Sequence, residues 1–274
     1  MTSLLTAIKS AKKEKNAPLF ACVLGAQGGG KSGTLGTFGL PTLIIRTPLE
    51  NHGTQNAINV AGKLFDKEIQ IDEFEIPSTL SGDKQFEALI SLLDELIKTD
   101  NPYKVVCLDS ITDVQLNVIR KADSWMALCS PGGKYSKFNE GSSDIHFFNI
   151  LLMKLKELSD KKNVHVVVTV AAQLQTLSDD GTEVIARPSL LGTQVAGFIN
   201  RCCGTVLFVN KINEDGESSH KFLFNTKLRK DSKDLNGRIT KTENFNSRIQ
   251  GILSNDLPES CEASFAKILS KMKG

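Results

Sequence analysis

The chain is poor in residues that staple or metallate small proteins. Its six cysteines, Cys22, Cys107, Cys129, Cys202, Cys203 and Cys261, include no C-x-x-C pair. Its four histidines, His52, His146, His165 and His220, are scattered over 274 residues. That pattern argues against a disulfide framework or a zinc site, and it reads as buried thiols in a reducing compartment. There is no excess of one charge sign either: 33 Lys and Arg against 31 Asp and Glu leave a net charge of +2. A global field for polyanions is therefore excluded, and any contact with nucleic acid must use a local patch. No stretch approaches the roughly 18 apolar residues of a membrane span. The Lys-rich N-terminal segment lacks an uninterrupted apolar core, so no signal peptide is expected. These absences lead to the expectation of a cytoplasmic protein with no membrane partner, and no internal repeat or low-complexity linker is visible.

What is present suits a folded globular protein. The composition, 40% hydrophobic and 23% charged, is that of an ordinary globular chain, and 274 residues suit one large α/β domain with a small appendage. The most specific stretch is Gly25-Ala26-Gln27-Gly28-Gly29-Gly30-Lys31-Ser32, which fits the phosphate-loop pattern G-x-x-x-x-G-K-[ST] at every required position. Glycines allow positive φ, so successive backbone N–H groups can face phosphate oxygens. Lys31 then reaches the β- and γ-phosphates, and the Ser32 hydroxyl ligates Mg²⁺. The apolar run 19–24 before the loop reads as a buried strand, and a helix that includes Gly33 is expected after it. Gly33, Gly36 and Gly39 weaken that helix by about 1 kcal/mol each, which calls for support by packing against another backbone.

Downstream segments complete the expected layout. Residues 3–15 read as an amphipathic helix with a basic face, either solvated or docked on a neighbouring subunit. Residues 41–47 read as a strand leading into Glu50. At that strand exit a carboxylate can orient and deprotonate an attacking water, although a solvated loop glutamate fits equally well. Residues 69–76 read as a short edge strand and 86–97 as an amphipathic helix. The run 104–110 ends four apolar residues with Asp109, the Walker B pattern for holding Mg²⁺. Asp113 reads as a surface or capping carboxylate. Residues 129–143 read as a mobile loop that interleaves Lys134, Tyr135, Lys137 and Phe138, suited to stacking bases beside phosphate-binding lysines or to serving as a connector. A broad-faced helix follows over 145–161. The β-branched run 164–170 reads as a strand that exits at Gln173, a γ-phosphate sensor or an ordinary loop amide. A hairpin with Asp-Gly at its tip is expected over 176–186. A helix follows, then a strand pair over 204–209 and 221–224, then the basic segment Lys227-Leu228-Arg229-Lys230, and a last short helix over 259–273.

The order of these motifs resembles RecA-like P-loop ATPases, most closely the small phage nucleotide-binding proteins linked to single-strand annealing and recombination. The most specific parts are Gly25–Ser32 and Leu108-Asp109-Ser110. The resemblance implies an α/β fold with a central, mostly parallel sheet flanked by helices and an added antiparallel hairpin part. It divides the chain into an N-terminal helix (1–17), an ATPase core (18–241) and a C-terminal helical tail (242–274). It implies ATP and Mg²⁺ as cofactors, Glu50 as catalytic glutamate, Gln173 as phosphate sensor, and nucleic-acid contacts on loops 130–144 and 174–191. It places Lys227 and Arg229 at a subunit boundary, where one of them can act on a neighbour's nucleotide. The partners implied are single-stranded DNA, further copies of the chain in a ring or filament, and a single-strand-binding protein, in a host cytoplasm if phage-encoded. Glu50 sits in Pro-Leu-Glu-Asn-His-Gly where relatives have a more acidic, glycine-rich stretch, and the 228–231 segment matches their basic cluster only loosely. A nucleotide-dependent switch or assembly ATPase that ignores DNA is the alternative.

Overall fold

The computed structural model describes residues 17–47, 52–176, 184–214, 217–223, 249 and 260–273. The expected helix over 3–15, Glu50, the hairpin tip near 178–181, and Lys227 and Arg229 lie outside the described residues.

Nine strands among the described residues form one mixed sheet. Its parallel part contains β1 (Phe20–Gly25), β2 (Thr42–Arg46), β3 (Ile71–Glu75), β4 (Val105–Asp109), β5 (His165–Thr176) and β7 (Thr205–Glu214). Two antiparallel strands, β8 (Glu217–Leu223) and β9 (Ser260–Glu262), extend one side. The order is β3-β2-β4-β5-β1-β7-β8-β9, with β6 (Val184–Pro188) paired antiparallel to the far half of β5. The central strands are apolar on both faces because both faces are covered, as parallel sheets require. Phe20, Cys22 and Leu24 enter one core, while Leu19, Ala21 and Val23 enter the other. β3, at the edge, shows the looser alternation expected of residues 69–76.

Helices flank both faces. On one lie α3 (Gly82–Lys98), α6 (Glu140–Lys162) and α7 (Thr193–Cys202), whose apolar sides share a core with Trp125 of α5 (Asp123–Cys129). On the other lie α1 (Lys31–Leu35), α2 (Gly53–Leu64) and α8 (Phe265–Lys273). The segment expected as a helical tail thus carries a strand as well as a helix. Phe265 stacks on Phe38 at 4.2 Å between ring centroids, and its backbone N–H donates to Thr37 Oγ1 at 2.8 Å. All six cysteines are free thiols, and among the described residues no helix is long and apolar enough to cross a membrane.

Several boundaries differ from the sequence expectation, among them the strand pair, which reaches Glu214 and restarts at Glu217. The helix after the glycine-rich loop 25–30 is only five residues long and passes into a 3-10 turn at Gly36–Phe38, in line with its glycine content. Gly36 is required there: a Cβ would lie 2.0 Å from the carbonyl oxygen of Ala57 on α2, so the two backbones touch. The expected loop 129–143 contains two 3-10 turns, and α6 already begins at Glu140. β5 does not exit at Val170 but continues to Thr176, so Gln173 lies within a strand, opposite Arg187 of β6, and not in a loop. The hydrogen bonds of β6 replace those of β1, whose pairing with β5 ends at Gly25 opposite Ala171.

Candidate functional site

The site forms where the parallel strands end on one edge. β1 delivers Gly25, which faces Val209 of β7 so closely that a Cβ would fall 2.8 Å from Val209 Cγ1 and 2.9 Å from Lys31 Cγ. The loop then turns through Gly28 and Gly30 at φ of 72° and 93°, the left-handed region that favours glycine. The N–H of Gly29 donates to the carbonyl of Ala26 at 3.0 Å. Lys31 Nζ donates to the same carbonyl at 3.1 Å, folding the ammonium across the loop. Gly33 lies in α1, with room toward Val60 of α2.

Asp109 comes from the end of β4, two strands away from β1. Register puts Arg46, Asp109 and Thr169 on the sheet face that carries α1 and α2, because Arg46 pairs with Asp109 and Leu108 with Val168. The Ser32 hydroxyl donates to Asp109 Oδ2 at 2.6 Å, and the Thr169 hydroxyl donates to Oδ1. The carboxylate is 1% exposed, so both hydrogen bonds matter to its burial. The two residues expected to hold Mg²⁺ are thus brought together, although they are 77 positions apart. Their oxygen donors suit a hard cation. The space beside them is kept by Gly53, the first residue of α2, where a Cβ would lie 2.7 Å from Asp109 Oδ2 and 3.3 Å from Ser32 Oγ. Cys107, two residues before Asp109, is fully buried: burial pushes its thiol well up, and the Asp109 charge adds to that.

Neither a protein-family model nor a curated protein matches this chain.

Other sequence candidates lie on other elements. Lys134, Tyr135, Lys137 and Phe138 lie together between α5 and α6, all exposed, with Phe138 at 97%. The Tyr135 hydroxyl donates to Glu140, which pushes the tyrosine pKa up and helps to hold the Glu140 carboxyl down. Gln173 is described only as backbone in β5. Asp113 is not the helix cap: its N–H donates to Ser110 Oγ at 3.3 Å, so Ser110 caps the short α4 (Ile111–Asp113), while the Asp113 carboxylate accepts from Asn117.

Several residues escaped sequence reasoning. His220 on β8 rests its ring on the phosphate loop, where a Cβ on Gly30 would meet Cδ2 at 2.3 Å. Burial and the nearby Lys211 push its pKa down. Asp144, fully buried on α6, accepts from Gln115 at 2.8 Å, from Trp125 Nε1 at 2.9 Å and from Arg120 at 2.7 Å. Arg120 also pairs with Glu140 at 2.9 Å. Gln115 completes the network by bonding both the N–H and the carbonyl of Leu191, each at 2.9 Å. A continuous chain of polar contacts therefore runs from Tyr135 to the segment after β6. Closer to the site, Thr112 Oγ1 accepts from the N–H of Ala171 at 3.0 Å, where β5 leaves β1.

Proposed function

We propose that this chain is a RecA-like P-loop ATPase that binds ATP with Mg²⁺ and acts on single-stranded DNA in phage-type recombination or strand annealing. The observation that carries the reading is the 2.6 Å contact between Ser32 and Asp109 beside a complete phosphate loop. A glycine turn that bound nothing would have no reason to aim its serine at a buried carboxylate from another strand. When bound, Mg²⁺ supplies neutralising charge to the β- and γ-phosphates. Ser32 and Asp109 hold it, and the backbone from Gly25 to Gly33 cradles the phosphates. Lys31 is the mobile charge: it exchanges the Ala26 carbonyl for phosphate oxygens. Glu50 orients and deprotonates the attacking water, and Gln173 senses the γ-phosphate.

The DNA part of the reading is supported by Lys134, Lys137 and two exposed rings on one short segment. Rings of that kind stack bases while the lysines meet phosphates. One observation favours the alternative, a nucleotide-dependent switch or assembly ATPase: Tyr135 is bonded to Glu140, whose charge repels a phosphate backbone.

A single assay separates these readings. ATP turnover with Mg²⁺ is measured with and without single-stranded DNA, for the wild type and for Lys31→Ala. Stimulation by DNA and loss of turnover in the variant are expected. Turnover that ignores DNA moves the conclusion to the switch, and wild-type turnover in Lys31→Ala overturns the site.

A further inference from the structure

Asp109 is held from both sides, and the two holders differ in kind. Ser32 belongs to the loop and is half-buried. Thr169 is fully buried in β5, the strand that lies between β4 and β1. Its neighbours Val166, Val167, Val168 and Val170 are all buried and apolar. A valine at 169 would satisfy that run equally well, and a hydroxyl in such a place is costly unless paired. Its partner is Asp109 Oδ1, 60 positions away.

Rotation of a carboxylate about its Cβ–Cγ bond interchanges its two oxygens. With Oδ1 anchored to a central strand, Oδ2 is the oxygen left facing Ser32. The Ser32 hydroxyl can turn away from Oδ2 to present its own oxygen, whereas the Thr169 bond, on the sheet side, need not change. We infer that Thr169 is a positioning residue for the cation site: it fixes the rotamer of Asp109 so that Oδ2 stays aimed at the space beside Ser32 and Gly53. The inference rests on the ATP–Mg²⁺ reading above and deepens it.

The test uses the full chain and a fluorescent ATP analogue, titrated in EDTA and over a series of Mg²⁺ concentrations. Thr169→Val keeps the branched shape and removes the donor, while Thr169→Ser restores a donor. Outer-shell partners of metal ligands are typically worth about 10–100-fold in metal affinity. The Mg²⁺ concentration for half-maximal tightening should rise by about that factor in Thr169→Val, with affinity in EDTA kept and the Mg²⁺ response recovered in Thr169→Ser. An unchanged Mg²⁺ response in Thr169→Val overturns the inference. So does an equal loss with and without Mg²⁺, which would mark a packing role, and so does a failure of serine to rescue. If wild-type protein binds the analogue without any response to Mg²⁺, the ATP–Mg²⁺ reading itself fails, a result that needs no variant and is therefore distinct.

Discussion

At the scale of single residues, the phosphate loop depends on what is missing as much as on what is present. Gly30 has to be glycine twice over, for its φ of 93° and for the ring of His220 that occupies the place of its side chain. His220 in turn has a measurable signature. Burial, then the charge of Lys211, lowers its folded-state pKa below the ordinary 6.5. The unfolded chain therefore binds the proton more readily than the folded one. The contribution of His220 to stability is complete above the unfolded value and is lost as pH falls through the folded one. Chemical denaturation followed across that range should show wild-type stability declining with acid. The His220→Gln variant, which cannot titrate, should lose that part of the slope. Parallel pH profiles for the two proteins would refute the assignment.

At the scale of elements, the shortness of α1 and its contact with α2 go together. Gly36→Ala should improve helix propensity by about 1 kcal/mol in isolation. In the folded chain the new Cβ meets the Ala57 carbonyl at 2.0 Å, so the backbones must separate. Overpacking of this kind costs about 1–3 kcal/mol and dominates. A denaturation midpoint that falls in Gly36→Ala is the expected result, and a rise would mean that α1 and α2 part freely. The need for packing support along the glycine-rich helix was legible in the sequence, though not the contact at Gly36 itself, and so were the strands 19–24 and 105–109, because buried parallel strands announce themselves as unbroken apolar runs. The meeting of Ser32 with Asp109 was legible too, since the spacing of both motifs is tied to strand exits. The second half of β5 was not: residues 172–176 lack an apolar run, because they pair with β6 beyond the end of β1. Thr169, Gln115 and Asp144 were also hidden. A buried polar residue looks in sequence like an exposed one, and the partners of these three lie 60, 76 and 24 positions away. The one local hint was a hydroxyl interrupting a run of valines.

At the scale of the whole molecule, the direction of the strands bears on how the proposed ATPase site would be assembled. β7 runs parallel to β1, passes Gly25 at Val209 and continues to Glu214, and β8 returns antiparallel to it. His220 therefore lies next to the loop, whereas Leu223 is back at the level of Phe208, which pairs with Leu24 within the sheet. β8 therefore runs away from the glycine-rich loop; Lys227 and Arg229 lie outside the described residues. On the proposed ATPase reading, the resemblance to RecA-like ATPases implies that one of these two cations acts on a neighbouring subunit's γ-phosphate. Such an arginine finger is worth about 10³–10⁵-fold in turnover. Arg229 is favoured over Lys227 because a guanidinium grips phosphate in a bidentate fork. The expected outcome is that Arg229→Ala and Lys31→Ala are each inactive alone and that an equal mixture recovers activity. With head-to-tail interfaces and random mixing, an intact loop meets an intact finger at about a quarter of the interfaces, so recovery to about that share of wild-type turnover is expected. The mixture is assayed over a range of protein concentrations, since a shared site also makes turnover per subunit fall on dilution. Normal turnover by Arg229→Ala alone would remove the finger. A mixture that stays inactive while both variants still assemble would confine the whole site to one chain.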